Sequence, residues 1–526
     1  MMNTAKIIED MHELAVLNPE IEIFPVNKGV LAVNLVIDDL SKAVCVLHDS
    51  GGRLLTIVAT DERAADNGFR VRFFFQTGIN SLCMINLGLD KNKPVFPSIT
   101  PVFQSAHWLE REIHDMFGII PQGHPDLRPL VKHPDWPQDI YPLRKDYSAD
   151  STIAFAAEKD MDFCNVEGTG VYKIPVGPVH AGIIEPGHFR FSACGEDVLD
   201  LQAQFFYTHR GVEKRAEGLV WQDALLVAER ICGVCTASHS MAYSQAVETI
   251  ADCNVALRAG YLRVIALELE RLYNHVGDMG NMCAGIGFAI GISRGAILKE
   301  KLLRLNLQLF HHRYLRGFIC PGGVAFQPCL DNLGEELALF LIAVHDLYAA
   351  MLTSNILVDR MSGTGVMPLD AGISLGAVGP AARASGIDYD LRRDLPYGVY
   401  GEFDFAVPLQ ESGDVIARLQ QRMAEAEVSV AIILQALAKM PAAGELKQPI
   451  GSLPGNVSAL GWSESARGSN IHFLMTNAVG RVQRYSVRSA SHFNWPIVPL
   501  CVPGNIVPDF PLINKSFELC YACLDR

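Results

Sequence analysis

The sequence predicts an α+β protein, with a small N-terminal α/β domain followed by a large, mainly helical domain that contains some strands. Three observations support this fold class. The chain has 526 residues, more than one ordinary hydrophobic core accommodates, which favours two or more domains. Short runs of branched and aromatic residues, typical of strands, alternate with helical patterns over residues 1–120. Beyond them, apolar residues recur at helical spacing over longer segments.

Residues 1–120 are expected to form the α/β domain. The predicted strands cover Ile21–Val26, Val30–Ile37, Leu54–Thr60 and Phe69–Gln76, and the predicted helices cover Lys6–Leu17, Asp39–His48 and His107–Phe117. Gly118 follows the last of these, where a glycine commonly ends a helix. Residues 121–170 form a predicted connector, because six prolines occur between Pro121 and Asp150 without clear periodicity.

Residues 171–526 are expected to form the larger domain. Glycine and proline interrupt Val176–Phe191, which favours turns beside a strand. The predicted helices cover Ala256–Gly277, Glu335–Leu352 and Asp414–Met440, and strands are expected within Asn456–Arg488.

The composition excludes some classes of protein. A net charge of −14 argues against a nucleic-acid-binding surface, which would be basic. Residues 1–13 carry acidic groups and no long apolar core, unlike a signal peptide. His345 and Asp346 interrupt the apolar stretch at Leu337–Leu352, which favours a buried helix over a membrane span. Nine of the thirteen cysteines are scattered singly, as expected for reduced thiols, so we expect a cytoplasmic protein.

Four cysteines form two C-x2-C pairs. Cys232 and Cys235 make the first pair, and Cys520 and Cys523 make the second. Two such pairs can deliver four thiolates to one soft metal ion. A zinc ribbon keeps its pairs within about 15–20 residues of each other, whereas nearly the whole larger domain separates these two. From the residues alone, a structural metal such as zinc and a catalytic soft metal remain equal alternatives.

The residues around the first pair resemble a known family. Arg210-Gly211-Val212-Glu213, followed after fifteen residues by Glu229-Arg230-Ile231-Cys232-Gly233-Val234-Cys235, resembles the proximal signature of nickel–iron hydrogenase large subunits. The segment Phe517–Arg526 is similar to the distal signature of that family. It departs at Glu518-Leu519, where the family usually has Asp-Pro, and at Arg526, where many members have His.

Further motifs narrow the resemblance. Residues His107–Ile119 resemble the 30-kilodalton subunit of respiratory complex I. Gly177–His180, His209–Lys214 and Pro321–Val324 are similar to the 49-kilodalton subunit and to membrane-bound, energy-converting hydrogenases. The fusion of both parts resembles the large subunit of group 4 hydrogenases of the formate hydrogenlyase type, which implies a hydrogenase large-subunit domain over residues 171–526.

This resemblance implies a nickel–iron centre with carbon monoxide and cyanide on the iron. The four thiolates would hold nickel, with Cys235 and Cys523 also bridging to iron. Cys520 would be a terminal ligand that carries a proton, and Glu185 matches a glutamate that relays it. From the residues alone, the favoured interpretation of Glu185 is a turn residue that caps a backbone amide.

The resemblance also assigns residues around the metals. Arg467 matches an arginine that lies over the diatomic ligands, although an ordinary salt-bridge arginine is the alternative. His239 is expected to hydrogen-bond a cysteine sulfur, or else to be a satisfied core histidine. Glu213 matches a ligand of a magnesium or iron site near the C-terminus. Because Arg526 replaces the usual histidine, a plain Glu213–Arg526 ion pair is an equal alternative.

The implied activity is reversible reduction of protons to dihydrogen, mainly in the direction of dihydrogen evolution. Iron–sulfur clusters are expected only in partner subunits, because the metal site uses the only cysteines in ligand spacing. The implied partners are an iron–sulfur small subunit, a ferredoxin-like electron-transfer subunit and integral membrane subunits. Through them the protein would lie on the inner face of the cell membrane. The electron donor is left open between formate through a formate dehydrogenase, a ferredoxin and carbon monoxide oxidation.

A complex I-like subunit is the alternative hypothesis. It would bind quinone or be purely structural, with zinc or nothing between the thiols. Complex I relatives lack the four cysteines and carry a tyrosine in D-R-x-D-Y, where this chain has Gly233. A zinc-stapled scaffold is a third reading, which predicts that Cys232→Ser unfolds the domain.

Overall fold

A five-stranded mixed sheet forms the centre of the N-terminal domain. A computed structural model of the chain describes residues 7, 18, 21–27, 30–65, 67–156, 162–180 and 184–526. The sheet has the order β1-β2-β5-β4-β3, in which β2 and β5 are parallel and the other neighbours antiparallel. Its strands are β1 (Glu22–Asn27), β2 (Val30–Leu35), β3 (Arg53–Asp61), β4 (Phe69–Gly78) and β5 (Ser81–Leu89), and the helices of this domain are α1 (Leu40–Asp49) and α2 (His107–Phe117).

The expected elements of this domain match the structure closely, except that the middle strand of the sheet and the short strand Val95–Pro97 were not predicted. The two helices and the four strands occur within a few residues of their predicted bounds, and Gly118 ends α2 with a φ of 67°. Apart from Ile7, the helix expected over Lys6–Leu17 lies outside the described residues. The strand β5, which occupies the middle of the sheet, was not predicted.

The segment after α2 wraps around that helix. It contains the short strand β7 (Ile120–Gln122), which pairs in parallel with β6 (Val95–Pro97). The carboxylate of Asp115 on α2 accepts hydrogen bonds from the backbone N–H groups of Leu130 (2.7 Å) and Val131 (2.8 Å). The backbone polar groups of this proline-rich segment are thus satisfied by the helix it covers, as a long irregular segment requires.

Helices dominate the larger domain, whose described residues also form three small sheets. The strands are β8 (Val171–Val176), β9 (His188–Cys194), β10 (Asp197–Gln204), β11 (Ile319–Cys320), β12 (Gly323–Val324), β13 (Ser458–Ser465), β14 (Gly468–Thr476) and β15 (Val482–Arg488). The sheets have the strand orders β10-β9-β8, β11-β12 and β13-β14-β15. The helices are α3 (Val212–Ala216), α4 (Trp221–Ala228), α5 (Thr236–Ile250), α6 (Leu257–Ala284), α7 (Ala289–Phe310), α8 (Leu333–Leu352), α9 (Asn355–Met361), α10 (Leu369–Ser374), α11 (Gly379–Arg383), α12 (Leu391–Asp394), α13 (Val415–Lys439), α14 (Ala490–Asn494), α15 (Phe510–Phe517) and α16 (Tyr521–Asp525).

The long helices confirm the predicted periodicity. Asp414 caps α13 by accepting a hydrogen bond from the N–H of Ala417 at 2.9 Å, as an N-terminal aspartate does. The helix α8 buries Leu337 and Val344, but Leu339 and Ile342 on its other side are exposed, so it is only half-buried. Among the described helices none alone has the length and apolar character of a membrane span, although α8 and α9, which meet at an 83° bend, meet that test as a pair.

The sheet β13-β14-β15 lies against α5 on one side and the N-terminal domain on the other. Gly461 in β13 makes the first contact possible, because a Cβ there would lie 1.9 Å from the carbonyl oxygen of Ala242 in α5. On the second side, Arg484 and Arg488 in β15 donate to the carbonyls of Ala59 (3.1 Å) and Leu55 (2.7 Å) in β3. The sheet therefore connects the helix that follows the first cysteine pair to the N-terminal domain.

Candidate metal centre

The four paired cysteines converge on one buried point. The Sγ atoms of Cys232 and Cys520, which are 288 residues apart in the sequence, lie 3.1 Å from each other. Their sulfurs and that of Cys523 all lie within 4.8 Å of one another. The thiol of Cys235 interacts electrostatically with those of Cys232 and Cys523. All four are free thiols, and three of the four predicted ligands form the close cluster.

The first pair lies on a loop at the start of α5. Cys235 directly precedes the helix, and its side chain provides no cap. Glu270 of α6 fills that role instead, because its buried carboxylate accepts the N–H groups of Ala237 (2.6 Å) and Ser238 (2.9 Å). Burial raises the pKa of Glu270 to about 7. A carboxylate from a second helix thus fixes the loop that presents Cys232 and Cys235.

Hydrogen bonds from neighbouring segments also fix the second pair. Cys520 caps α16, with its Sγ accepting the N–H of Cys523 at 3.3 Å. The N–H of Cys520 donates to Oγ of Ser491 at 3.0 Å. At the other end of α16, the buried carboxylate of Asp525 accepts the N–H groups of Phe206 and Thr208, each at 2.9 Å. Both sulfurs therefore lie on a short, anchored helix.

Arg210 clamps the two segments together. Its guanidinium donates to the carbonyl of Ile231 (2.8 Å), next to Cys232, and to that of Ala522 (2.9 Å), next to Cys523. A planar guanidinium with five fixed donors suits this bridging role better than a lysine would. Its presence in the proximal signature therefore has a structural explanation.

The thiols interact electrostatically. Hydrogen bonds from Cys235 and then Cys520 lower the pKa of Cys232 well below its ordinary value. The pKa values of Cys235, Cys520 and Cys523 are raised instead, mainly by their contacts with Cys232. Because thiolates are the form that binds metal, Cys232 is the thiol best prepared to bind a soft cation first. A cluster of cysteine sulfurs, of which only Cys520 is partly exposed, fits the ligand demand of a nickel–iron centre better than that of magnesium or calcium, which prefer oxygen donors.

Arg467 lies beside the sulfur cluster in a fixed orientation. Its guanidinium donates to the carbonyl of Glu518 (Nε, 2.9 Å) and to the carboxylate of Asp278 (Nη2, 2.9 Å), and it also bonds Asn274. Burial alone would lower its pKa, but Asp278 and then Cys235 raise it above the ordinary value. Arg467 is thus a permanent buried cation that forms a salt bridge with Asp278, as the alternative interpretation expected, and not a surface arginine.

His239 contacts a cysteine sulfur, as expected. Its Nε2 lies 3.4 Å from Sγ of Cys523, and its Nδ1 lies 2.9 Å from Nε2 of His472. His472 in turn approaches the hydroxyl of Tyr485 at 2.9 Å. Burial lowers the pKa of His239 to about 4 and that of His472 well below its ordinary value, so both imidazoles are neutral.

Glu185 lies at the exposed rim of the centre. Its Oε2 accepts the N–H of Ala522 at 2.7 Å, two residues beyond Cys520. This contact is the backbone cap that the alternative reading expected, and it also places the carboxylate against the distal segment. Partial burial, and then the negative charge of Cys232, raise the pKa of Glu185. His180 from the same turn contacts the carbonyl of Gly187 at 2.8 Å.

Glu213 is surrounded by cations. Its Oε1 accepts from Arg526 at 2.9 Å and from the N–H of Val487 at 2.8 Å, and its Oε2 accepts from Arg484 at 2.7 Å. Arg526 also bonds Glu112 of α2 at 2.7 Å. The guanidinium of Arg526 occupies the position facing Glu213 where a metal would bind, so the geometry favours the ion-pair alternative over a second metal.

Sequence reasoning missed four residues around the centre. Arg210 was noted only as part of the proximal signature, and its role as a hydrogen-bond donor to both cysteine segments was not predicted. Glu270 had a detectable signal, because an acidic residue on an apolar helical stretch is seldom buried without a partner. His472 and Tyr485 had none, since only the pairing of β14 with β15 brings them to His239.

Comparison with known families agrees with this geometry. Residues 295–526 match the model described as Respiratory-chain NADH dehydrogenase, 49 Kd subunit, and residues 33–152 match Respiratory-chain NADH dehydrogenase, 30 Kd subunit. Residues 210–279, which include the first cysteine pair and Glu270, match Nickel-dependent hydrogenase. The 30 Kd match extends past the predicted boundary at residue 120 into the connector.

Individual relatives cover nearly the whole chain. Formate hydrogenlyase subunit 5 of Escherichia coli K12 is 34% identical, over 98% of this chain and 93% of the relative. Hydrogenase-4 component G of the same organism is 33% identical, over 94% and 87%. The carbon monoxide-induced hydrogenase of Rhodospirillum rubrum is 32% identical, over 68% and 99%.

More distant relatives share the fold. The C/D subunit of NADH-quinone oxidoreductase from Acinetobacter baumannii is 26% identical, over 85% of this chain and 83% of the relative. A chain from the structure of an archaeal membrane-bound sulfane sulfur reductase is 26% identical, with a TM-score of 0.63 over 68% of this chain and 99% of that one. Together with the four convergent thiols, these comparisons show that the chain belongs to the group 4 nickel–iron hydrogenases, as a catalytic large subunit in which parts like the 30- and 49-kilodalton subunits of complex I are fused.

Proposed function

We propose that this hydrogenase subunit reduces protons to dihydrogen at a nickel–iron centre whose iron carries carbon monoxide and cyanide. The observation that carries the proposal is the convergence of cysteine sulfurs from two distant segments, with Cys232, Cys520 and Cys523 within 4.8 Å of one another. A local zinc staple would not need ligands from two segments this far apart. The hydrogenases among the relatives support the reaction, and the chemistry of the donor set supports the metals.

The four thiolates are the proposed metal ligands. Cys232, Cys235, Cys520 and Cys523 would hold the two metals, and Cys520 would also carry a proton. When bound, the centre supplies the two-electron chemistry that interconverts protons and dihydrogen. The protein holds the sulfurs in place through Glu270, Asp525 and Arg210, which keeps the ligand set preorganised.

Glu185 and Cys520 form the proposed proton path. Glu185 lies at the exposed rim and is held by the N–H of Ala522. The two side chains also interact electrostatically, since the pKa of Cys520 is raised chiefly by Cys232 and by burial, and further by the charge of Glu185. A carboxylate whose pKa is raised by burial accepts a proton more readily than an ordinary one and would pass it between the Sγ of Cys520 and solvent.

Arg467 is proposed to orient the diatomic ligands. Glu518, Asp278 and Asn274 hold its guanidinium in one position beside the thiols. A buried cation with fixed N–H donors complements the negative end of a metal-bound cyanide. Because the fold already holds these N–H donors in position, binding the ligands would require no free energy to reorient them.

We further propose that the chain works within a membrane-bound complex. Electrons would arrive from an iron–sulfur small subunit and a ferredoxin-like subunit, and integral membrane subunits would attach the assembly to the inner face of the cell membrane. Formate, supplied through a formate dehydrogenase, is the proposed electron source, which the similarity to formate hydrogenlyase subunit 5 supports.

Infrared absorption of the purified holoenzyme complex tests the proposal. We expect bands of metal-bound carbon monoxide and cyanide, with nickel and iron near one each per chain on the same sample. Cys232→Ser should lose both the bands and the nickel, whereas Cys329→Ser, at an exposed cysteine outside the cluster, should keep them. Zinc without diatomic bands in the wild-type complex would contradict the proposal.

A further inference from the structure

A row of three buried side chains lies behind Cys523. His239, His472 and Tyr485 are each 0% exposed. The contacts run in one line, from Sγ of Cys523 to Nε2 of His239 (3.4 Å), from its Nδ1 to Nε2 of His472 (2.9 Å), and from Nδ1 of His472 to the hydroxyl of Tyr485 (2.9 Å). Every ring nitrogen of the two histidines is therefore in use.

Only one set of proton positions satisfies this row when Cys523 is a thiolate ligand. A thiolate accepts and cannot donate, so His239 must carry its proton on Nε2. Its Nδ1 is then an acceptor, which requires His472 to carry its proton on Nε2. The Nδ1 of His472 is then also an acceptor, and the hydroxyl of Tyr485 must donate to it. The reverse direction would require a proton on the sulfur of Cys523.

The fold places the row with little freedom. In the antiparallel pairing of β14 with β15, His472 lies opposite Val487, so Tyr485 is its diagonal neighbour on the same face of the sheet. That face lies against α5, which carries His239, at the close approach that Gly461 permits. The backbone thus brings the two imidazoles and the phenol into line without help from solvent.

We propose that His472 and Tyr485 are positioning residues that lock His239 in the Nε2–H tautomer, so that it always donates a hydrogen bond to the sulfur of Cys523. The proposal rests on the nickel–iron centre proposed above. A hydrogen bond to a metal-bound thiolate withdraws electron density from it, and partners that orient such a donor tune the metal. His472 and Tyr485 would therefore influence the electron density of the iron without touching it.

The chain offers a matched pair of substitutions at His472. His472→Leu removes both the donor and the acceptor. His472→Gln keeps one N–H donor for His239 and one carbonyl acceptor for Tyr485. Tyr485→Phe removes only the outermost donor and leaves the ring that packs against Tyr243 at 5.7 Å.

The test is infrared spectroscopy of each purified holoenzyme complex, with nickel and iron quantified. His472→Leu should shift the carbon monoxide band to lower wavenumber, because a thiolate without its hydrogen bond donates more density to iron, and should lower activity about 10- to 100-fold. His472→Gln should restore the wild-type band position, and Tyr485→Phe should shift it in the same direction by less. A residue that merely fills space would not be rescued by glutamine.

The proposal is overturned if His472→Leu keeps its metals and its bands coincide with those of the wild type. If that variant yields no metallated enzyme, Tyr485→Phe decides in the same way, with an unshifted band as the contrary result. Wild-type complex without any diatomic band would refute the nickel–iron centre itself, and this inference with it. The two failures are distinguishable because only the second affects the unmodified enzyme.

Discussion

Removing the side chain of Arg526 should loosen the contact between the two domains. This guanidinium is 3% exposed and bonds Glu112 on α2, Glu213 on α3 and the carbonyls of Val487 (2.6 Å) and Leu524 (3.2 Å). In Arg526→Met, Glu213 would keep Arg484, whereas Glu112 would keep only His492, 3.3 Å away.

The cost follows from the buried charge that is left behind. Two charge-assisted hydrogen bonds are lost, each contributing about 1.5–3 kcal/mol. Breaking a buried ion pair by removing one partner costs about 3–5 kcal/mol. Because Glu213 stays paired, the lower figure of the two, about 3 kcal/mol, is the expected loss at this interface. Since every 1.4 kcal/mol is a factor of ten, local opening should become roughly 100-fold more frequent.

Hydrogen exchange read by mass spectrometry measures this local effect. A chain of this size need not unfold in one step, so peptides from α2 and β15 are more informative than one global midpoint. Both should exchange faster in Arg526→Met, while Arg215→Met, at an exposed arginine, should leave them unchanged. A change of less than about threefold in the interface peptides, equivalent to well under 1 kcal/mol, would refute the reasoning.

Three further outcomes are expected. Glu185→Gln should lower dihydrogen evolution about 100-fold or more while retaining nickel, because a proton relay is lost. Glu167→Gln, at an exposed glutamate, is the control. Near-normal turnover in Glu185→Gln would exclude Glu185 from the proton path. Cys232→Ser should lose nickel but keep the wild-type circular dichroism spectrum, and an unfolded variant would favour the scaffold reading. Burial alone would raise the pKa of Glu112, but Arg526 and His492 lower it below 4.5. The ionised carboxylate therefore stabilises the fold above pH 4.5, and this stabilisation is lost as the pH falls. Thermal unfolding between pH 7 and 3 should show the loss in the wild type and not in Glu112→Gln.

The cysteine pairs and three of the long helices could be predicted from the sequence because their signals are local, whereas the 22-residue helix α7 was not predicted. Each C-x2-C pair is recognisable within four residues of sequence. The helical spacing of apolar residues in α6 and α13 repeats over many turns. The strand β5 was not predicted because Ser81–Leu89 shows no clear alternation of apolar and polar residues. Its position in the sheet depends on pairing with β2 and β4.

The surroundings of the site could not be predicted in the same way. Glu112 and Arg526 are separated by 414 residues, and no sequence pattern marks them as partners. The contact between His239 and His472 depends on how α5 lies against a sheet 233 residues away. Residues that touch the metals belong to motifs, whereas residues that orient those ligands are selected by tertiary contacts.

The separation of 288 residues between Cys232 and Cys520 also affects when, during synthesis of the chain, the complete ligand set becomes available. At about 5–20 residues per second, a ribosome needs roughly 15–60 s to travel from the first thiol to the third. Throughout that interval the emerging polypeptide presents two reactive thiols and only half of a ligand set. Any metal that reached them early would find a two-coordinate site open to exchange. The order of synthesis therefore favours delivery of metal to a nearly complete domain, with closure of α16 over it as the final step of assembly.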